Sequence, residues 1–367
     1  MAIGEIIVIQ QYTITTTPKY NFPQPTIEQP IPQHFLEQSL RSLKQVQTQP
    51  FQLNQQNLQQ PDNIEANAQS LQLKLQPITL TPISQSTTIA ACDTSTIRIG
   101  ETSTGILIAV RGATVTKQNR HYRYKRFGPF IYHITEENKK ELHNMLEQAY
   151  LASIHEQSHS SNLSLLQMPT RITSILERWL QTLLAKTVSN SIILFDGSLT
   201  AGTPDTPAYR LKQILNYANE KESIVLAFSK MTNLRVNGYL ITDLPFGHKP
   251  PYLLETVGWK PKPPIVLLGD VYVARLTYGN YAFRLDISRE YPIEKKIDAV
   301  NKLLGNDVLL QSYPETLRLA HILCTFTANE VLAMQHYATR KCGLRIINRP
   351  DMHKLLFGPF GRGECYA

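Results

Sequence analysis

Residues 191–200, SIILFDGSLT, constrain the fold most, because four consecutive apolar residues run into an aspartate and then into a Gly-Ser pair. Ile192, Ile193, Leu194 and Phe195 read as a strand buried on both faces, which Gly197 and Ser198 end. Asp196 therefore stands at the strand's carboxyl end, the edge at which open α/β sheets usually meet ligands. Taken alone, the stretch fits two readings equally: a carboxylate ligand, or an aspartate that opens a turn or caps the next helix.

The flanking segments decide what sheet this strand joins. Residues 87–93, TTIAACD, read as a strand entering Asp93, and residues 104–115, TGILIAVRGATV, as a longer strand joined to it by a hairpin-like turn around Gly100. Residues 120–127, RHYRYKRF, alternate as a third strand, with Tyr122 and Tyr124 on one face and Arg123 and Lys125 on the other; residues 130–134 are a candidate fourth. Three antiparallel strands in succession, the first ending near an acid, open a sheet of the ribonuclease H-like kind. Helices are expected over 136–150, 169–188 and 209–217. The second carries the apolar stripe Ile172, Leu176, Trp179, Leu180 and Leu183 behind Pro169. A buried strand at 223–228 follows, and this alternation of strand and helix implies parallel pairing. Between 231 and 262 Pro and Gly recur and no period dominates. Residues 265–276 and 281–287 then form a hairpin about Tyr278, Gly279 and Asn280, residues 292–304 a helix, and Pro314 opens one long helix towards Arg340. The fold class is thus α/β: a ribonuclease H-like mixed sheet flanked by helices over 86–345, with an extended Gln/Pro-rich arm over 1–85 and a basic tail over 346–367.

Composition bears on partners. At 367 residues and 42% hydrophobic content the chain can bury one large core or two domains, and the formal charge of +8 favours a polyanionic partner, nucleic acid before membrane. The arm holds four basic residues (Lys19, Arg41, Lys44, Lys74) against five acids (Glu5, Glu28, Glu37, Asp62, Glu65), so the remainder carries +9. Within the arm, residues 35–46 keep helical spacing through Phe35, Leu36, Leu40, Leu43 and Val46. That suits an arm wrapping the core or a partner, whether another copy across a dimer or a translocase; a flexible low-complexity linker fits the same composition. Cys92, Cys324, Cys342 and Cys365 form no CxxC pair, which argues against a zinc ribbon or a disulfide framework. No window reaches the roughly 18 apolar residues of a membrane span, so a cytoplasmic protein with no membrane partner is expected.

Five residues beside Asp196 could carry chemistry. Asp93 also follows an apolar strand, and two neighbouring strand acids can share a divalent cation, although a solvated strand end is the ordinary alternative. Glu177 lies on the edge of a helical stripe, where a solvated glutamate is the common case, yet its helix feeds the Asp196 strand. Lys230 ends the strand in AFSK, where it can neutralise a phosphate or be a surface lysine. Tyr313 and His321 are eight residues apart, a little over two helical turns, and so can share a face. Singly they read as packing and satisfied groups. Beside three acids they read as a phosphate or base contact and as a metal ligand or proton donor.

The ordered set of a strand Asp, a helix Glu before FDGS, the FSK strand and YPETLRLAH resembles the archaeal NurA nucleases, over residues 87–340. On this resemblance Asp93, Glu177, Asp196, Lys230, Tyr313 and His321 are the catalytic set, with Asp93, Glu177, Asp196 and His321 as metal ligands. The chain departs from the family where Asp93 is followed by Thr94 and Ser95 instead of Gly-Ser, and in the length of its arm. The resemblance implies a ring-shaped homodimer with a DNA channel and Mn²⁺-dependent cleavage of single- and double-stranded DNA; the paired strand acids, as hard oxygen ligands, suit two Mn²⁺ or Mg²⁺ ions. It also implies exonuclease and single-strand endonuclease activity in end resection at double-strand breaks, with a HerA-like hexameric ATPase as partner. Arg120, Arg123, Lys125 and Arg126 of the basic aromatic strand are the expected DNA contacts. Two other readings share the basic channel: a catalytically silent DNA-gripping adaptor of a translocase, and a ribonuclease H-like RNA nuclease or recombinase.

Overall fold

Alternating apolar residues over 88–135 build three long strands, β1 (Thr88–Glu101), β2 (Gly105–Gln118) and β3 (His121–Thr135), which pair as an antiparallel meander. The computed structural model describes residues 32–45, 72–74, 76–151, 164–203, 206–236, 239–243 and 247–347. The expected third and fourth strands are one. Gly128, at φ 96°, and Pro129 form a bulge opposite Arg111, which lets β3 continue where Gly-Pro would suggest a break. The first turn lies at 102–104 and not around Gly100, which sits inside β1 at a register shift.

β4 (Ser191–Asp196) pairs parallel with β1 and, on its other side, with β5 (Ile224–Ser229). β6 (Tyr252–Val257), β7 (Gly269–Arg275) and β8 (Phe283–Ser288) follow, and the sheet order is β6-β7-β8-β5-β4-β1-β2-β3. The half β3-β2-β1-β4-β5 has the order and directions of a ribonuclease H-like sheet. The other half extends it with antiparallel strands, closed at the edge by residues 72–73 and 78–79 pairing with β6. The expected hairpin is β7 with β8; residues 266–267 leave it to pair with residues 200–201.

Both faces of the sheet are covered, which is why its central strands are apolar throughout. On one face lie α1 (Gln33–Gln45), α2 (Lys139–Leu151), α3 (Met168–Thr187) and α4 (Ala208–Glu220), over Ala90, Cys92, Ile193 and Phe195. On the other lie α5 (Ile293–Asn306) and α6 (Glu315–Cys324), over Ile89, Ala91, Ile192 and Leu194. The arm helix α1 docks on its own chain: Phe35 is fully buried, its carbonyl accepts from Tyr132 Oη and its N–H donates to Tyr150 Oη, both at 2.9 Å. The single long helix expected from Pro314 is two, α6 and α7 (Ala328–Cys342). Thr327 accepts from the Glu330 N–H while Glu330 reaches back to Thr327, a capping box that starts a new helix and so ends the old one. Among the described residues no helix is long and apolar enough to cross a membrane.

Candidate active site

Register places the two aspartates. β1 and β4 run parallel with Cys92 opposite Phe195, so Asp93 and Asp196 follow side by side one residue later. They share the period-2 parity of Ile89, Ala91, Ile192 and Leu194, and both therefore point to the α6 face. β4 stops at Asp196 because Gly197 turns at φ 108° and donates its N–H to Phe228 O at 2.8 Å. β1, by contrast, does not end at Asp93, as its sequence suggests, but runs on to Glu101, still paired with β2 after β4 has stopped. The gap between a strand that stops and one that continues holds the site.

α6 brings His321 over this gap. Its Nδ1 lies 2.6 Å from Asp93 Oδ2, while Asp93 Oδ1 accepts the Thr94 N–H at 2.7 Å. Tyr313 does not share a helix with it, since α6 starts at Glu315; the tyrosine belongs to a two-residue strand pair before the helix. Gln311 and Ser312 precede it at φ 51° and 70°, and Ser312 Oγ accepts the N–H groups of Leu276 and Thr277, each at 3.1 Å. The Tyr313 ring packs on Phe283 and Phe228 at 5.3 and 6.1 Å between centroids, and its buried Oη has no hydrogen-bond partner among the described residues. Burial pushes the phenol well up, and the Asp196 and Asp93 charges push it further.

Lys230, just past β5, puts its ammonium 2.7 Å from Asp196 Oδ2 and 5.7 Å from the Tyr313 ring centroid. Burial raises the Asp196 carboxyl above the ordinary range, and this lysine opposes the shift. Glu177 arrives from the opposite helical layer, on α3, accepting from Gln181 Nε2 at 2.8 Å. Burial raises its pKa too; Arg178 counters, and the Asp93 and Asp196 charges add to the rise. The structure thus brings Asp93, Glu177, Asp196, Lys230, Tyr313 and His321 into one electrostatic neighbourhood. The Asp93 charge raises the pKa of both Glu177 and Asp196, a repulsion that a cation would relieve, and oxygen donors with one imidazole suit a hard divalent ion such as Mn²⁺ or Mg²⁺.

Two neighbours escaped the sequence reading. Gln181 stands four residues from Glu177, a spacing that signals a helical side-chain pair. Cys324 stands three residues after His321, and its Sγ, an Asp93 oxygen and a His321 ring nitrogen lie within 4.8 Å of one another. The basic strand also needs correction. Arg120 and Arg123 are exposed and Lys125 is half-buried, but Arg126 falls on the tyrosine face, 3.3 Å from Glu330 Oε1 of α7. Arg111 holds the same carboxylate at 2.7 Å, so Arg126 belongs to a structural ion pair and not to a free basic surface.

No protein-family model matches the chain, and no curated protein does. Among solved structures it is similar to the NurA nuclease of Sulfolobus solfataricus, at 16% identity and TM-score 0.39 over 72% of this chain and 88% of that one. It is also similar to endonuclease V of Ciona intestinalis, solved with inosine-containing DNA, at 11% identity and TM-score 0.33, covering 69% and 89%. Endonuclease V of Bacillus subtilis aligns at 11% identity and TM-score 0.30, covering 73% and 88%. Likeness this distant leaves the chemistry to be argued from the side chains themselves.

Proposed function

We propose that the protein is a divalent-metal-dependent deoxyribonuclease that hydrolyses phosphodiester bonds. The observation that carries this reading is the juxtaposition of Asp93 and Asp196 on adjoining parallel strands and one face, with His321 Nδ1 2.6 Å from Asp93 Oδ2. Asp93 and Asp196 would hold the cations, with Glu177 completing a second position and His321 a further ligand. Ions held there, Mn²⁺ first and Mg²⁺ second, supply polarisation of the phosphoryl oxygens and an activated water. The other groups handle charge and protons. His321, fixed at Nδ1 by Asp93, leaves Nε2 to ligate or to exchange a proton with the leaving oxygen. Lys230 neutralises a phosphate that competes for its ammonium. Tyr313 Oη, a buried donor without a partner among the described residues, would meet a phosphate oxygen.

The order of the sequence motifs extends the proposal to exonuclease and single-strand endonuclease action on DNA ends, in a cytoplasmic homodimer working with a HerA-like ATPase. The core's positive charge and the exposed Arg120 and Arg123 support contact with a nucleic-acid backbone. The direct test incubates labelled DNA with the protein and Mn²⁺, Mg²⁺ or chelator. Asp196→Asn should lose at least about 100-fold in metal-dependent cleavage while still binding DNA. Cleavage at the parental rate, or cleavage that persists in chelator, would sink the assignment.

A further inference from the structure

Cys324 has no task in a hard-cation site, yet it stands beside Asp93 and His321. It lies one helical turn after His321, so both project from the face of α6 that covers Asp93. An Asp93 oxygen, a His321 ring nitrogen and Cys324 Sγ all lie within 4.8 Å of one another. Ligands of one tetrahedral ion sit roughly 3.3 to 3.8 Å apart, given bonds of about 2.0 to 2.3 Å, so closing the triad around an ion needs only small side-chain movement. Cys324 is fully buried, whereas 47% of the His321 side chain is exposed, which gives an ion a route in past the imidazole. The thiol's partner is the His321 carbonyl oxygen at 3.2 Å, and S–H is a weak donor that loses little by leaving it.

Carboxylate, imidazole and thiolate together are donors that Zn²⁺-class ions take readily and that Mg²⁺ and Mn²⁺ do not favour. We propose that Asp93, His321 and Cys324 form a binding site for a thiophilic divalent ion of the zinc class, its fourth position open to solvent, and that this ion competes with the hard cations for Asp93. On binding, the Cys324 S–H bond breaks and a sulfur–metal bond forms, with one proton released to solvent. The competition rests on the nuclease reading above; the binding does not.

The test is a Co²⁺ titration of the full-length protein, following the near-ultraviolet charge-transfer absorption of a cobalt–thiolate bond. The band should grow to one equivalent, vanish in Cys324→Ser and persist in Cys342→Ser and Cys365→Ser. His321→Gln, a change at a half-exposed side chain that folding tolerates, should weaken Co²⁺ binding at least tenfold, so the proposal stays testable if Cys324→Ser does not fold. Absence of the band in the parent overturns the proposal, as does its survival in Cys324→Ser, its loss in Cys92→Ala instead, or unchanged affinity in His321→Gln. Excess Zn²⁺ should also suppress Mn²⁺-supported cleavage of DNA, and undiminished cleavage removes the competition. A protein that binds Co²⁺ through Cys324 but never cuts DNA would refute the nuclease reading alone.

Discussion

Tyr313 enters the acidic cluster from a backbone that most side chains avoid, with two consecutive residues, Gln311 and Ser312, in left-handed conformation. Each such residue costs about 1 kcal/mol, and the pair persists because Ser312 Oγ ties it to the end of β7 through two backbone N–H groups. The hydroxyl so delivered is itself unpaired among the described residues, and an unsatisfied buried polar group costs about 1 to 3 kcal/mol. Tyr313→Phe should therefore leave stability unchanged or raise it by about 1 kcal/mol in urea unfolding while cleavage falls at least tenfold. A loss of stability of similar size would mean that the hydroxyl has a partner in the free protein. At this scale the sequence showed which residue types could act, because acids after apolar strands are conspicuous. It did not show Cys324, whose significance comes from where α6 docks, nor that Arg126 is held by Glu330, which lies far along the chain.

Between elements, the contacts of individual glycines and histidines outweigh local propensity. Gly305 lies in the last turn of α5, where Ala would favour an isolated helix by about 1 kcal/mol. Here a Cβ would fall 2.0 Å from the Ile83 carbonyl oxygen, in a segment that Asn301 and Asn306 fasten to the same helix. Backbone cannot yield as a side-chain tip can, so Gly305→Ala should destabilise by roughly 1 to 3 kcal/mol, and thermal melts showing stabilisation would contradict the packing. On β3, His133 is wholly buried, with Nε2 2.7 Å from Thr102 Oγ1 and its backbone N–H donating to Ser42 Oγ of α1. Burial lowers its pKa to about 4, below the unfolded value near 6.5. The unfolded chain therefore takes the proton first. Stability is fully present above pH 6.5 and declines by about 3 kcal/mol as pH falls towards 4. Urea midpoints at pH 7.5 and 5 should separate in the parent and converge in His133→Gln; an equal separation in both would assign the effect elsewhere. Helix and strand types were legible from their periods, whereas the break between α6 and α7 hid in a Thr-x-x-Glu cap inside an apparently continuous helical pattern.

For the whole molecule, the proposed function and the positive charge outside the arm together predict salt-sensitive DNA binding. Binding measured in chelator should weaken steeply between 50 and 200 mM salt, with a log–log slope near −0.9 per phosphate contacted on duplex DNA. A flat response would remove the polyanion argument. The sheet that carries the site is wider than the sequence foretold, because the β6-β7-β8 half adds antiparallel strands beyond β5, and β6 lies in the stretch where no period was visible. Sequence by itself determined the local matters: which stretches are buried strands, which helices carry apolar stripes, and that aspartates follow two of the apolar runs. These are properties of a few consecutive residues, so periodicity and turn chemistry report them. Only the tertiary structure decided that Asp93 and Asp196 share a face, that the helix of Glu177 packs in the opposite layer, and that Tyr313 and His321 arrive from separate elements. Those outcomes depend on strand register and helix docking between segments distant in the chain, which the packing of both layers against one sheet sets together.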